Sequence, residues 1–177
     1  MIGPDDSIDP EIRAQAPGEL AAVVELNGLA FGRPDEGELV RRLIEDCPEV
    51  ISLVAVVEGA VVGHILFSPI VLECDDASEL PGMALAPMAV LPDWQMRGIG
   101  MQLVNAGLAA TYRSQCPFVV VLGHATYYPR FGFERASRYG VRCPWEAPDE
   151  AFMVIAADPD ALHPGTIRYR PEFEGLT

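Results

Sequence analysis

The sequence predicts one mixed α/β domain built on a mostly antiparallel central sheet with helices on both faces. Apolar residues recur at helical spacing near the N-terminus and again over about 98–116, and nearly continuous β-branched runs lie between. The links between the early runs are too short for crossovers, which makes their strands antiparallel neighbours. At roughly 150 residues per domain, the 177 residues read as a single domain over 1–177, long enough to bury around 70% of its unfolded surface.

The first helix is expected from about Pro17, a residue suited to a first turn, to Phe31, with Leu20, Val23 and Val24 on its apolar face. A second helix is expected to start at Asp35 as N-cap, with Glu38 three residues on, and to run through Leu39, Val40, Leu43 and Ile44 to Cys47, where Pro48 stops it. Gly32 to Pro34 joins the two. ISLVAVVE, a turn at Gly59 and AVVGHILFSPIVLE then read as two strands covered on both faces. A polar break over Cys74 to Pro81 precedes a strand expected over Met83 to Val90. Gly98 to about Cys116 reads as a helix whose stripe of small residues, among them Ala106, Gly107 and Ala110, lets it lie close to the sheet. Phe118 to Leu122 is a buried strand, and Thr126 to Phe131 a short helix or turn ended by Gly132. Phe152 to Ala157 and Thr166 to Tyr169 are the last strand candidates.

Charge and cysteine usage bound the function classes. Twelve basic residues stand against 26 acidic ones, a net charge of −14, while half the chain is hydrophobic. That combination argues for a folded domain and against a nucleic-acid backbone or an anionic membrane as primary partner. Cys47, Cys74, Cys116 and Cys143 stand far apart with no metal-ligand spacing, so free thiols and no metal are expected. The opening MIGPDDSIDPE lacks the stages of a secretion signal, and Val50 to Leu72, though long enough to span a bilayer, is broken by Glu58-Gly59 and carries His64. A cytoplasmic protein is expected.

The chemistry concentrates in LAPMAVLPDWQMRGIGMQLV, Leu85 to Val104. A strand feeds through Leu91-Pro92-Asp93-Trp94 into Gln95-Met-Arg-Gly-Ile-Gly100, and a helix starts at the glycines. Its first amides have no intrahelical partner and sit at the positive end of the helix dipole, where a pyrophosphate can bind. The third glycine of a Rossmann fingerprint and the Lys-Ser/Thr of a P-loop are both missing, and a GxG by itself also fits an ordinary strand-to-helix turn.

The strand ending in Pro-Met-Ala-Val, the Leu-Pro and the Gln-x-x-Gly-x-Gly resemble the signature segment of the GNAT superfamily of acyl-CoA-dependent N-acyltransferases. Downstream, Tyr127-Tyr-Pro-Arg-Phe-Gly-Phe133 is similar to the family's Tyr-x-x-x-Gly-Phe element, and the pairing looks most like a bacterial branch of N-acetyltransferases. The resemblance implies that the strand before the motif splays from its neighbour to admit the pantetheine arm, which suits Pro87, a residue with no amide for a ladder. It implies that backbone groups of Met88, Ala89 and Val90 bind the pantetheine amides. It also implies that amides of Gln95, Met96, Arg97, Gly98, Ile99, Gly100 and Met101 hold the pyrophosphate, with the Arg97 charge as an addition.

What the resemblance implies is acetyl transfer from acetyl-CoA to a primary amine of a small molecule or protein, directly and without a covalent acyl-enzyme. Tyr128 is expected to be the acid that protonates the leaving sulfur, since a phenol of pKa about 10 keeps its proton at neutral pH. From the residues alone, Tyr128 is also an aromatic packed beside Phe131 and Phe133. Met83 to Val90 carries no carboxylate for the base, which leaves Glu73, His124 or a water. His64, within an apolar run, reads as a satisfied core residue. Glu73, Asp75, Asp76 and Glu79 form an acidic cluster that fits a solvated loop as well as a surface attracting a cationic amine. The missing strand carboxylate also favours an alternative, a non-catalytic acyl-CoA-binding or sensing domain. The resemblance also leaves a homodimer open, since late strands in the family often meet a partner.

Overall fold

The computed structural model describes residues 9–175. The acidic segment 1–8, most of the stretch read above for a secretion signal, lies outside them. Strands β1 (Glu11–Ala14), β2 (Ile51–Val57), β3 (Ala60–Cys74), β4 (Glu79–Val90), β5 (Phe118–Leu122), β6 (Glu134–Arg135), β7 (Val141–Arg142), β8 (Phe152–Ala156) and β9 (Gly165–Arg168) form one sheet. Its order is β1-β2-β3-β4-β5-β8-β6, with β9 on β3 and β7 on β9. Helices α1 (Leu20–Phe31), α2 (Pro34–Asp46) and α3 (Ile99–Arg113) cover it. Six pairings are antiparallel. Two are parallel, β4 with β5 and β7 with β9. The β4–β5 pair is parallel because α3 crosses between them.

The pleat sorts the core. Ala55, Ile65, Phe67, Leu85, Val119, Val121 and Met153 face α3, packing on Ile99, Leu103 and Val104. From the other side of the same strands, Val54, Val56 and Leu66 meet Val23, Leu39, Val40 and Leu43 of α1 and α2. Phe118, Val120, Phe152 and Val154 meet Ala136, Val141, Leu162 and Ile167 of the C-terminal third. Burial on both faces is what the continuous apolar runs of β2, β3 and β5 anticipate, each buried Leu or Ile contributing about 1.5–3 kcal/mol. No helix among the described residues is long and apolar enough to cross a membrane. All four cysteines are free.

Close packing of α3 depends on Gly107. A Cβ there would stand 2.2 Å from the ring of Phe67, a fully buried side chain with no room to shift. Gly107→Ala is therefore expected to destabilise by about 1–3 kcal/mol of overpacking, against about 1 kcal/mol gained in helix propensity, the ring's confinement deciding the sign. A lowered midpoint in thermal or urea unfolding is the check; an unchanged or raised one sinks the argument.

Two sequence expectations need correction, and three short strands had no expectation. Helix α2 starts at Pro34 and not after an Asp35 cap: Arg33 is extended (φ −140°, ψ 131°) with no side-chain cap bond, and the fixed φ of Pro34 suits the first helical position. Strand β4 begins at Glu79, inside the segment read as a polar break. Glu79 lies opposite Glu73 across the β3–β4 ladder, and Arg168 of β9 bonds both carboxylates (2.6 and 3.3 Å), so the charges are paired where they stand. Strand β1, four residues along the edge of β2, has too short a pattern to stand out in the sequence. The same holds for the two-residue strands β6 and β7.

Candidate functional site

The site opens where β4 and β5 part. Their pairing has three positions, Met83 opposite Val119, Ala84 opposite Val120 and Leu85 opposite Val121, after which β5 ends at Leu122 while β4 runs on to Val90. On its other edge β4 bulges: Ile65 is opposite Met88 and Phe67 opposite Leu85, so three steps on β4 match two on β3, with Ala86 and Pro87 inside the bulge. The Ala86–Pro87 peptide is cis. Beyond it the Leu91 N–H donates to the Val62 carbonyl at 2.9 Å. Because ladder bonds alternate along an antiparallel pair, Met88 and Val90 turn their N–H and C=O groups away from β3, into the gap left by β5, whereas Ala89 turns its own toward His64. The Gln95 amide nitrogen donates to the Val90 carbonyl at 3.0 Å and ties the following loop to this edge.

That loop, a 3-10 turn over Pro92–Trp94 and then Gln95 to Gly98, delivers the chain to α3 with Met96 at φ 60° and Gly98 at φ 80°. The left-handed conformation is natural for glycine and forced at methionine, whose side chain is fully exposed. Gly98 is the N-cap of α3 and has no side chain to satisfy the first-turn amides, which stay open to a ligand. Gly98, Ile99, Gly100 and Met101 line one cleft of about 800 Å³ together with Met88, Ala89, Val90, Gln95 and Met96. Arg97 does not line it; its guanidinium lies over the Trp94 ring, 5.3 Å from the centroid.

On the β5 side, Gly123, His124, Tyr127, Tyr128 and Arg130 complete the wall. Tyr128 opens the 3-10 turn Tyr128–Phe131, which Gly132 ends at φ 98°. Its ring packs edge-on against Tyr127 and Phe133, centroids 5.1 and 5.7 Å away. Burial first, and Tyr127 beside it second, push the Tyr128 hydroxyl up to about 12, so it holds its proton throughout the neutral range. The Tyr127 hydroxyl reaches across to α3, where a Cβ on Gly100 would stand 3.1 Å from it. Arg130, which sequence reading passed over although it lies two residues beyond Tyr128, donates from Nε to the Tyr127 carbonyl (2.9 Å) and stacks on that ring at 4.6 Å. Sequence reading also missed Glu36, which enters the cleft from the first turn of α2.

Other candidates fall elsewhere. Glu73 is spent on Arg168, and Asp75 on Arg142 at 2.5 Å, so the cluster read as a solvated loop or an amine-attracting surface is an ion-paired edge outside the cleft. His64 is fully buried: Asn27 Nδ2 donates to its Nδ1 (3.0 Å), its Nε2 lies 2.9 Å from Ser52 Oγ, and Ser52 Oγ donates to Gln15 at 2.5 Å. Burial pulls its pKa down to about 3. Among the described residues no group of three or more His, Cys, Asp or Glu could hold a metal ion.

Oriented amides at a helix start, a strand edge with free peptide groups and a protonated phenol thus share one cleft. The family model described as acetyltransferase (GNAT) domain matches residues 48–135. Two Escherichia coli K12 proteins are similar over much of the chain. YjhQ, called an uncharacterized N-acetyltransferase, is 42% identical over 129 residues, 71% of each chain. YhbS, so called as well, is 34% identical over 165 residues, 92% of this chain and 97% of the relative. Among solved structures, the GNAT family N-acetyltransferase YhbS from E. coli in complex with CoA superposes with a TM-score of 0.88 at 31% identity, over 99% of this chain and 98% of the other. A GNAT family acetyltransferase from Brucella melitensis in complex with acetyl-CoA gives 0.78 at 31% identity, over 94% and 99%.

Proposed function

The chain belongs to the GNAT family of N-acetyltransferases, and from that premise we propose that it takes the acetyl group of acetyl-CoA and passes it directly to a primary amine. The observation that carries the reading is the parting of β4 from β5 beside the bare N-terminus of α3, with Tyr128 in the same cleft. The N–H and C=O groups of Met88 and the N–H of Val90, all turned into the gap, match the amide pattern of a pantetheine arm, which would lie along β4 as a missing strand. The amides at the start of α3 suit a pyrophosphate, and Arg130 adds the positive charge that sequence reading had sought in Arg97.

Acetyl-CoA supplies the acyl group already activated as a thioester. The chain's task is to orient it, exclude water and manage two protons. The Val90 N–H, facing the gap, is the donor for the charge that develops on the thioester oxygen. As the new C–N bond forms and the C–S bond breaks, Tyr128 gives its proton to the departing sulfur. The proton lost by the amine leaves through His124 or water at the cleft mouth. The same reading takes residues 1–177 as one domain working in the cytoplasm.

Release of free thiol from acetyl-CoA in the presence of a panel of primary amines tests this. Amine-dependent release at a rate well above solvent hydrolysis is the expected result. Tight acetyl-CoA binding with no release for any amine would reverse it in favour of a sensing domain.

A further inference from the structure

We propose that Glu36 receives the ammonium group of the acceptor, which makes the second substrate a cationic amine carried on an apolar stem. The proposal rests on the cleft being the site of acetyl transfer and adds the class of acceptor. Glu36 is the carboxylate that lines the cleft among the described residues, and it comes from neither of the two motifs that build the donor side. It stands in the first turn of α2, just past the link from the last turn of α1, whose Ala30 and Phe31 also line the cleft.

Its side chain is 17% exposed, and the cation that compensates it is Arg33, with Nη2 at 3.0 Å and a side chain that is 64% exposed. A pair of this kind, three residues apart with one partner in solvent, is weak. Arg33 can therefore yield its place to an incoming ammonium at little cost, while the carboxylate keeps a cation partner in a half-buried setting. A role in stabilising the start of α2 would be filled equally by Asp35, which is exposed and outside the cleft.

The neighbours describe the rest of the acceptor. Phe31 in the last turn of α1 and Leu122 at the end of β5 line the cleft and stay about 43–44% exposed, an apolar rim that a hydrophobic stem would cover. The acid elsewhere does not compete locally, because the cluster over 73–79 is held in ion pairs away from the cleft.

Calorimetric titration of 2-phenylethylamine, cationic at neutral pH, into the chain saturated with CoA is the test, with 4-methylaniline, neutral at the same pH, as its counterpart. Glu36→Gln is expected to weaken 2-phenylethylamine by about tenfold, which is about 1.4 kcal/mol, and to change 4-methylaniline by less than about twofold. Added salt is expected to weaken the cationic probe alone in the unaltered protein, a readout independent of whether the variant folds. Equal losses for both probes, no loss for the cationic one, or a salt response shared by both would overturn the proposal. The two readings fail separately. Glu36-dependent binding without thiol release on any amine removes the activity and leaves the ammonium site. Turnover whose KM responds alike to Glu36→Gln for cationic and neutral amines removes the ammonium site and leaves the activity.

Discussion

Tyr128→Phe is expected to lower kcat for acetyl transfer by about 10²-fold or more while acetyl-CoA affinity stays within about twofold. The substitution removes one oxygen from a ring that packs against Tyr127 and Phe133 by its edges and faces, so the aromatic contacts survive. What disappears is a donor that keeps its proton at any working pH, its hydroxyl having been pushed up to about 12 chiefly by burial. A thiolate leaving without that proton must be protonated by water, and the barrier rises by the lost general-acid term. Steady-state thiol release gives kcat, and calorimetry with acetyl-CoA gives the affinity. Unchanged kcat would take the acid role from Tyr128, and a joint collapse of both quantities would make it a packing residue. Since Tyr128 does not titrate in the neutral range, the pH profile of the unaltered protein should follow the acceptor amine.

Acidification is expected to erode stability from about pH 6.5 downward, before the carboxylates contribute. His64 takes a proton in the unfolded chain at its ordinary 6.5, while in the folded protein burial pulls its pKa down to about 3. The folded state thus refuses a proton that the unfolded state accepts. Its full stability is present above 6.5 and is lost at about 1.4 kcal/mol per pH unit as the pH falls toward 3. The hydrogen bonds require the neutral form. Asn27 donates to Nδ1, which must carry a lone pair, and the proton on Nε2 goes to Ser52, whose own proton goes to Gln15. Carboxylates act lower down: Glu19, held near 2 mainly by Arg13, loses its ion-pair stabilisation only below its unfolded 4.5. Urea unfolding between pH 6.5 and 5 isolates the histidine. His64→Leu should be less stable at neutral pH, with Asn27 and Ser52 each losing one hydrogen-bond partner, yet markedly flatter across that interval. An equal slope in both proteins would remove His64 as the cause.

The sequence brought the β4 and α3 residues that line the cleft into one reading because they lie in one contiguous segment. Pro87 and Gly98 each answer a backbone demand, and Tyr128 and Gly132 sit a fixed four residues apart, so the pattern survives projection onto a line of letters. The paired helices and buried strands were legible for a related reason, since periodicity records which faces are covered. The α1–α2 corner, with its loop around Gly32 to Glu38, carries no motif that singles out one residue. Glu36 looks like any first-turn acid until α1 and α2 carry it to the mouth of the cleft. The pairing of the charge cluster over 73–79 was hidden because its partners, Arg142 and Arg168, lie 67 and 95 residues away in the chain. Arg97 misled in the opposite way, its motif position drawing attention while its side chain turned to Trp94.

The three-position seam between β4 and β5 has a mechanical consequence. Strands β1 to β4 with β9 and β7 form one leaf of the sheet and β5, β8 and β6 the other; side chains pack across the seam on both faces, but the β4–β5 ladder that joins the leaves by backbone stops after its three positions. A molecule threaded along β4 would act as a splint, substituting for the missing ladder and locking one leaf to the other. Occupancy at a hundred times its dissociation constant would then add about 2.7 kcal/mol, spread over the whole sheet and not confined to the residues it touches.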